Sequence, residues 1–301
     1  MTKSGTGKRL TMHQKQNLWG WAFLAPATLL IFWLSFYPMI QALLISLKGG
    51  RPTAMTFSDP LTRNYQFLIK DNVFKQSLKN TFTYLIIQVP IMLVLAMIFA
   101  SLLNDHQLKF KGIFRTCIFL PCATALVAYS LIFRTMFAYD GMVNAVLMNM
   151  GLLKEPINWL NNPGTAKAVI IIALIWRWTG YNMIFYLSSM QSIDYSVYEA
   201  ARIDGAGPVA QLFKITIPLL KPIILVTAIM STNGTLQLFD ESVNLTKGGP
   251  ANATITMSHY IYNTMFQNNP NFGYAAAMSF VILILVAVLS AIQMKVGDKR
   301  E

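Results

Sequence analysis

Three side chains suited to a hydroxyl-rich ligand fall within a strongly apolar stretch of the chain. Trp178, Tyr181 and Asn182 are spaced so that they share one face of a helix. An aromatic ring can stack on the apolar face of a pyranose, and an amide both donates and accepts hydrogen bonds with hydroxyl groups. Because polar groups at membrane depth are costly unless they face a bundle interior or a watery cavity, the cluster predicts part of a ligand pathway.

A second polar series follows in the next apolar stretch. Asn233 lies near the middle of that stretch, and Gln237 and Asp240 come after it. We expect these three side chains to line the same pathway, because each can form hydrogen bonds with a ligand. Small residues beside them are expected instead to allow close helix packing; these are Ser231, Thr232 and Gly234.

Arg177 is the most constrained residue of the sequence, because a guanidinium stays protonated in the middle of a membrane and needs a partner. Asp240 and Glu241 are the candidate partners. The first interpretation is a buried pair of Arg177 with one of these acids. The second is a direct contact of Arg177 with an acidic substrate.

Few features of the sequence point to catalysis. His13, His106 and His259 are scattered, and no GxSxG or HExxH spacing occurs. Cys117 and Cys122 lack the paired spacing of a zinc site, so no metal site is predicted. The chain also lacks the GxxxxGKS or GxxxxGKT loop that cradles nucleotide phosphates. A membrane-embedded enzyme, such as a hydrolase or a glycosyltransferase, is therefore the weaker hypothesis.

The composition places these residues in a membrane protein. Of 301 residues, 54% are hydrophobic and 12% are charged, against about 25% charged in a soluble domain. Stretches of about 20 apolar residues are long enough to cross the hydrocarbon of a bilayer as helices, which keep their backbone hydrogen bonds internal. We predict an all-α membrane protein with a basic N-terminal segment, 1–17, and six transmembrane helices, 18–47, 80–103, 113–137, 168–190, 223–245 and 274–294.

Basic residues indicate the orientation of these helices. Lys and Arg number 24 against 12 Asp and Glu, and in so apolar a chain the excess indicates loops that face anionic lipid rather than nucleic acid. Lys and Arg are densest in the short turn 104–112 and in the C-terminal tail. This distribution favours a cytoplasmic location for both termini. In the first outer loop, the segment 65–78 predicts either a short amphipathic surface helix or an ordinary packed loop.

The segment 191–222 is amphipathic, unlike the apolar stretches on either side of it. Ser196 and Glu199 form a capping-box pattern that opens a helix. Gly205 breaks that helix, and Pro208 begins a second short one. The segment therefore predicts a knob of two helices, hinged at a glycine, that engages a partner outside the bilayer.

This knob resembles the coupling loop of permease subunits of binding-protein-dependent ATP-binding cassette importers. Within the loop, the matching residues are Glu199-Ala200-Ala201, Asp204-Gly205-Ala206, Phe213, Ile217 and Pro218. From Leu18 onward, the chain is similar to the carbohydrate branch of that family, the maltose-type permeases, at positions that include Asn80, Trp159, Gly249 and Gly273-Tyr274-Ala275-Ala276. The runs 179–187 and 234–241 look closest to permeases for lactose, arabinose and related oligosaccharides.

The resemblance implies a type I ABC importer permease fold and a division of labour among subunits. The chain would form half of the translocation pathway of a sugar importer in the bacterial cytoplasmic membrane, paired with a second homologous permease. Two ATPase subunits would use ATP and Mg²⁺, an extracytoplasmic sugar-binding protein would deliver the carbohydrate, and this chain would bind no cofactor and catalyse no reaction. The alternative is a permease of the same superfamily for an acidic sugar or glycerol phosphate, which Arg177 favours.

The resemblance also assigns roles within the knob. Glu199 would make a polar contact with an ATPase subunit, and Gly205 would permit the turn between the two helices. Rigid-body motion of the ATPases would then pass through the knob into the transmembrane helices. The expected coupling residues are Tyr198, Glu199, Ala200, Ala201, Asp204, Gly205, Ala206, Phe213 and Pro218.

Overall fold

The computed structural model describes residues 11–51, 53–105, 107–267 and 270–297. Most of the basic N-terminal segment, His106 and the end of the C-terminal tail lie outside the described residues. The one sheet within them is a hairpin in which β1 (Lys48–Arg51) pairs antiparallel with β2 (Ala54–Phe57). The helices are α1 Met12–Ile31, α2 Tyr37–Ser46, α3 Arg63–Lys70, α4 Asn72–Asn104, α5 Lys111–Ala123, α6 Leu126–Met136, α7 Met142–Asn149, α8 Pro163–Met190, α9 Tyr195–Ile203, α10 Pro208–Gln211, α11 Ile217–Leu219, α12 Lys221–Leu236, α13 Asp240–Asn244, α14 Met257–Phe266 and α15 Phe272–Gly297.

The predicted all-α membrane class is confirmed. Among the described residues, five helical segments are long and apolar enough to cross a bilayer, and a bent pair of helices makes up to six. The core is built on α4 and α8, which pack along each other in the same direction, with α5 and α12 beside them. The five segments are Lys15–Ser46, Asn72–Asn104, Pro163–Met190, Lys221–Asn244 and Phe272–Gly297.

The third predicted span, 113–137, is not one helix. Its halves, α5 and α6, meet at 98° across a break at Thr124 and Ala125. Pro121 sits at the end of α5, where its ring and missing N–H weaken the last turn. Hydropathy is uniform across this break, and for that reason the composition alone predicted a continuous span.

Two other prolines widen a helix rather than break it. Single π-helical turns at Phe32–Phe36 and Leu212–Thr216 are each followed two residues later by proline, Pro38 and Pro218. A proline cannot donate to the carbonyl four residues before it, so the chain shifts locally to hydrogen bonds between residues five apart. The second of these turns lies inside the segment 191–222, so the chain leaves that segment through an irregular helix.

The predicted amphipathic segment 65–78 is divided between two helices. α3 carries its first part, and α4 begins at Asn72 with Asp71 as its N-cap. Oδ1 of Asp71 accepts hydrogen bonds from the backbone N–H groups of Val73 and Phe74 at 2.8 and 3.2 Å. Oδ2 accepts the hydroxyls of Tyr260 in α14 and Tyr274 in α15, each at 2.6 Å. One carboxylate therefore ties three helices together at one end of the bundle.

The protonation of Asp71 is coupled to this junction. Partial burial raises the pKa of Asp71, but the hydrogen bonds from Tyr260, Tyr274 and the helix N-terminus outweigh it and hold the pKa below the ordinary value of 3.8. The charged form is therefore favoured in the folded protein. Stabilisation from this carboxylate is complete above the ordinary value and is lost as the pH falls through the lowered one.

We predict that Asp71→Asn lowers the free energy of unfolding by about 1 kcal/mol at neutral pH, because the tyrosine hydroxyls lose a charged acceptor that is partly exposed to water. Thermal unfolding of the detergent-solubilised protein from pH 7 to pH 3 measures the difference between the two proteins. That difference should shrink below about pH 4. The control is Asp59→Asn, an exposed acid of the same outer region; an equal effect there would contradict the assignment.

Candidate functional site

A cavity of about 300 Å³ lies between α4, α6, α8, α12 and α13. It borders the point where the fifth predicted span, 223–245, stops being helical, because α12 ends at Leu236 and α13 begins at Asp240. Discontinuous membrane helices are typical of substrate sites in transporters, since irregular backbone is tolerated where it lines a cavity. The lining residues are Gln88, Met92, Leu126, Leu174, Trp178, Tyr181, Asn182, Met230, Ser231, Gly234, Thr235, Gln237, Leu238, Phe239, Asp240 and Glu241.

The structure brings most of the predicted pathway residues together but places Asn233 elsewhere. Oδ1 of Asn233 accepts a hydrogen bond from Ser290 of α15 at 3.2 Å. Residues four apart share a face only in a continuous helix, and α12 ends before Gln237 is reached. Asn233 therefore packs against α15, whereas Trp178, Tyr181, Asn182, Gln237 and Asp240 line the cavity.

The prediction that small residues of α12 serve helix packing holds for one of the three. Thr232 is buried and accepts a hydrogen bond from Gln293 of α15 at 2.8 Å. Ser231 and Gly234 instead line the cavity. A Cβ on Gly234 would have no atom of the described residues within 4 Å, so this glycine serves no close packing among them.

Some polar side chains of the cavity are already satisfied by the protein. Asn182 donates to the carbonyl of Trp178 at 3.0 Å and accepts from Ser231 at 3.5 Å. Thr235 donates to Oε1 of Gln88 at 3.1 Å, which joins α12 to α4. Asn182 was predicted to bind ligand, but its amide here orders α8 and connects it to α12.

Four other polar groups in the cavity form no hydrogen bonds with the described residues. They are the indole N–H of Trp178, the hydroxyl of Tyr181, the amide of Gln237 and the carboxylate of Asp240. The rings of Trp178 and Tyr181 meet edge to face, with centroids 5.8 Å apart. Two aromatic surfaces, an amide and a carboxylate are therefore available to a ligand that presents both an apolar face and hydroxyl groups.

Arg177 is buried but does not form the predicted ion pair with Asp240 or Glu241. Its Nη1 donates to the carbonyl of Thr124 at 2.8 Å and to that of Pro121 at 3.4 Å. The break between α5 and α6 leaves these carbonyls without a donor four residues further along a helix; the N–H and hydroxyl of Thr124 donate to the carbonyl of Pro121 at 3.3 and 2.6 Å. The guanidinium therefore completes a broken helix, a role that sequence reasoning missed because it did not predict the break.

Tyr129 connects Arg177 to Glu241. The guanidinium carbon of Arg177 lies 4.7 Å from the centroid of the Tyr129 ring, and the Tyr129 hydroxyl donates to Oε1 of Glu241. Both charged residues are buried, with 6% of Arg177 and 3% of Glu241 exposed. The negative charge of Glu241 thus compensates the positive charge of Arg177 across the Tyr129 ring, without direct contact between the two charged groups. A tyrosine eight residues after Pro121, in an otherwise apolar run, was the available signal for this link.

α13, which carries Glu241, is held in place by Ser242. The Ser242 hydroxyl contacts the carbonyl of Thr254 at 3.0 Å and Nδ1 of His259 at 2.8 Å. His259 lies in α14, outside the spanning segments, and burial lowers its pKa. The neutral imidazole is therefore favoured, which suits a structural hydrogen bond. Among the described residues, no group of three His, Cys, Asp or Glu side chains could hold a metal ion.

We predict that Arg177→Leu lowers the free energy of unfolding by about 3 kcal/mol or more, because it leaves Glu241 buried without a nearby cation and removes the donors to the broken helix. Arg177→Leu combined with Glu241→Gln should be more stable than Arg177→Leu alone. Thermal unfolding of the purified complex measures both. Equal losses in the single and double variants would show that the two charges are not coupled, and Tyr129→Phe tests the connecting hydroxyl separately.

The segment 191–222 folds into two short helices and a return to the membrane. α9 begins at Tyr195, and its N-cap is Asp194, whose carboxylate accepts the N–H of Ser196 at 2.9 Å. The capping box expected at Ser196 is therefore wrong by two residues. Hydrogen bonds from Ser196 lower the pKa of the exposed Asp194. Gly205 has φ +79°, a left-handed conformation that favours glycine and permits the turn.

Side-chain contacts join the two helices into one unit. The Tyr198 hydroxyl contacts the Thr216 hydroxyl at 3.0 Å, and Gln211 donates to the carbonyl of Ala206 at 2.7 Å. Among the predicted coupling residues, Ala201 is buried, Tyr198 and Ala206 are partly buried, and the remaining six are exposed; those six are Glu199, Ala200, Asp204, Gly205, Phe213 and Pro218.

The outer surface of this unit, here called the knob face, combines acidic and apolar groups. Ile203 is 87% exposed, and Val209 and Phe213 are also mostly exposed. Glu199 and Asp204 lie at the surface of the same segment. Exposed apolar side chains rimmed by charge mark an interaction site rather than an ordinary surface.

Spanning helices around a polar cavity, with a protruding two-helix unit, define an integral membrane subunit that works with other proteins. The chain belongs to the family of binding-protein-dependent transport system inner membrane components, whose family model matches residues 72–300. The predicted family is confirmed.

Individual relatives and solved structures agree with this assignment. The chain is 50% identical over 298 residues to the lactose transport system permease protein LacF of Rhizobium radiobacter, which covers 98% of this chain and 99% of the relative. It is 32% identical to the arabinooligosaccharides transport system permease protein AraP of Halalkalibacterium halodurans, over 96% of this chain and 90% of the relative. A bacterial alginate ABC transporter, crystallised with an alginate pentasaccharide-bound periplasmic protein, matches with TM-score 0.82 and 21% identity over 97% of this chain and 98% of the other.

Proposed function

We propose that this chain is the permease subunit of an ATP-driven, binding-protein-dependent importer of sugars, oligosaccharides in particular, and that it forms half of the translocation pathway. The observation that carries the proposal is the cavity beside the break in the fifth span. There, an aromatic pair, an amide and a carboxylate are free to bind a ligand. The relatives that transport lactose and arabinooligosaccharides support a carbohydrate as that ligand.

The proposed partners follow from what this chain lacks and what it exposes. It has no phosphate-binding loop, so two ATPase subunits supply the nucleotide site and use ATP and Mg²⁺. A second homologous permease completes the cavity, and an extracytoplasmic sugar-binding protein delivers the substrate. The knob face docks on an ATPase subunit, with Glu199 as its polar contact and exposed apolar side chains such as Phe213 around it. In this division of labour, the chain itself catalyses no reaction.

Connectivity explains how the knob moves the pathway. The knob directly joins α8, which carries Trp178 and Tyr181, to α12, which leads to Gln237. Two walls of the cavity are therefore attached to opposite ends of one compact unit. Rigid-body displacement of that unit by the ATPases shifts both walls together, as alternating access requires.

The same arrangement sets the proposed orientation in the cytoplasmic membrane. ATPase subunits are cytoplasmic, so the knob lies on that side. We infer that both termini are cytoplasmic, which the count of spans on either side of the knob supports when α5 and α6 are taken as one broken span. The basic turn 104–112 then also faces the cytoplasm, in agreement with the excess of Lys and Arg on that side.

The test of the proposal is sugar-stimulated ATP hydrolysis by the complete complex in proteoliposomes. The complex contains both permeases and the ATPase subunits, with the matched delivery protein outside. We expect lactose or a related neutral oligosaccharide to stimulate hydrolysis and to accumulate inside the vesicles. Failure of every sugar in a broad panel, acidic sugars included, would overturn the proposal.

We predict that Glu199→Lys reduces sugar uptake by at least about tenfold, because it reverses the charge at the ATPase contact. Pull-down of the second permease should be unchanged, while recovery of the ATPase subunits falls. The matched control is Glu155→Lys, the same charge change on an exposed acid of an outer loop. Normal uptake by Glu199→Lys would remove the coupling role of the knob face.

A further inference from the structure

The charge of the cavity is entirely negative within the described part of the chain. Asp240 and Glu241 are the only Lys, Arg, Asp or Glu side chains among its lining residues. Arg177 is close by but does not line it, because its guanidinium is held by the carbonyls of Thr124 and Pro121. A ligand in this cavity therefore meets carboxylates and no guanidinium from this chain.

The two carboxylates differ in what they are free to do. Glu241 is almost fully buried and accepts the hydroxyl of Tyr129. Asp240 is partly exposed, lines the cavity, and accepts no hydrogen bond from the described residues. Since a carboxylate has acceptor sites for several donors, Asp240 is the group of this wall with unused hydrogen-bonding capacity and charge.

We propose that Asp240 determines the substrate class of the pathway, by accepting hydroxyl groups of neutral sugars and repelling anionic ones. This inference rests on the proposed function. Hydrogen bonds from hydroxyls to a carboxylate are stronger than those between neutral groups. The same charge opposes a uronate or a phosphorylated sugar, and the opposition is larger in a partly enclosed cavity than in water.

Recruitment of Arg177 by an acidic sugar is the competing arrangement. It requires the guanidinium to leave Thr124 and Pro121, which would cost the carbonyl of Thr124 its 2.8 Å hydrogen bond and leave the carbonyl of Pro121 with donors from Thr124 alone. Arg177 would also move away from the ring of Tyr129, the link to Glu241. The fold thus holds Nη1 of Arg177 on these carbonyls, and Asp240 is left to set the charge that the substrate meets.

The test compares two lactose analogues of the same shape, one with a carboxylate at C6 of the galactose and one with an uncharged carboxamide there. Equilibrium binding is measured to the complete complex in nanodiscs without the delivery protein, so that the selectivity of the delivery protein does not contribute. We expect the carboxamide to bind at least about tenfold more tightly than the carboxylate. Asp240→Asn should reduce this ratio to about two or less and weaken lactose itself several-fold.

Gln237→Glu serves as the second variant and adds a carboxylate to the same wall. It should increase the discrimination against the carboxylate analogue, even if Asp240→Asn fails to assemble. An unchanged ratio in Asp240→Asn, or preferential binding of the carboxylate that Arg177→Leu abolishes, would overturn the inference. Sugar-stimulated ATP hydrolysis by the same nanodiscs, with the delivery protein added back, separates the two proposals. Stimulation with an unchanged ratio refutes the role of Asp240 alone, whereas no stimulation by any sugar refutes the proposed function and this inference with it.

Discussion

Backbone groups in hydrocarbon must find a hydrogen-bond partner within the protein, and the centre of this molecule is organised around two places where a helix does not supply one. At the break between α5 and α6, Arg177 donates to the exposed carbonyls of Pro121 and Thr124. At the interruption between α12 and α13, the Thr256 hydroxyl donates to the carbonyl of Leu238 at 2.6 Å. Each break is stabilised by a side chain from another element, so the breaks persist and the space between them remains a cavity.

The charge distribution follows from this constraint. The guanidinium of Arg177 donates hydrogen bonds to the carbonyls at the break between α5 and α6, and its charge is balanced by Glu241 through Tyr129. The pair is costly to bury, and removal of one member leaves the other uncompensated. The carboxylate of Asp240, the residue before Glu241, forms no hydrogen bond in this network and is available to a ligand in the cavity. The fold therefore balances Arg177 with Glu241 and leaves the carboxylate of Asp240 at the cavity.

Sequence reasoning predicted the parts of this protein that depend on composition and missed those that depend on local geometry. Hydropathy located the spans because hydrocarbon imposes a length and an apolar composition, and Gly205 with Pro208 was enough to predict the hinged loop. Hydropathy does not change at the break at Thr124, so the sequence did not reveal the break. Asp240 or Glu241 was therefore predicted as the partner of Arg177, in place of the carbonyls at the break. Asn233 was placed in the pathway because its amide lies near mid-span and can bind a ligand, and the sequence did not show that it faces Ser290 of α15.

The position of the knob between α8 and α12 makes these local breaks mechanically useful. A straight helix of full length would transmit a displacement of the knob across the whole membrane. α12 instead ends at Leu236, and α13 is fixed independently by Ser242 to Thr254 and His259. In the proposed function, motion of the knob would therefore change the distance between Tyr181 on α8 and Asp240 on α13 without displacing the end of the bundle where Asp71 joins three helices. The interruption that creates the cavity is also the point at which the cavity can open.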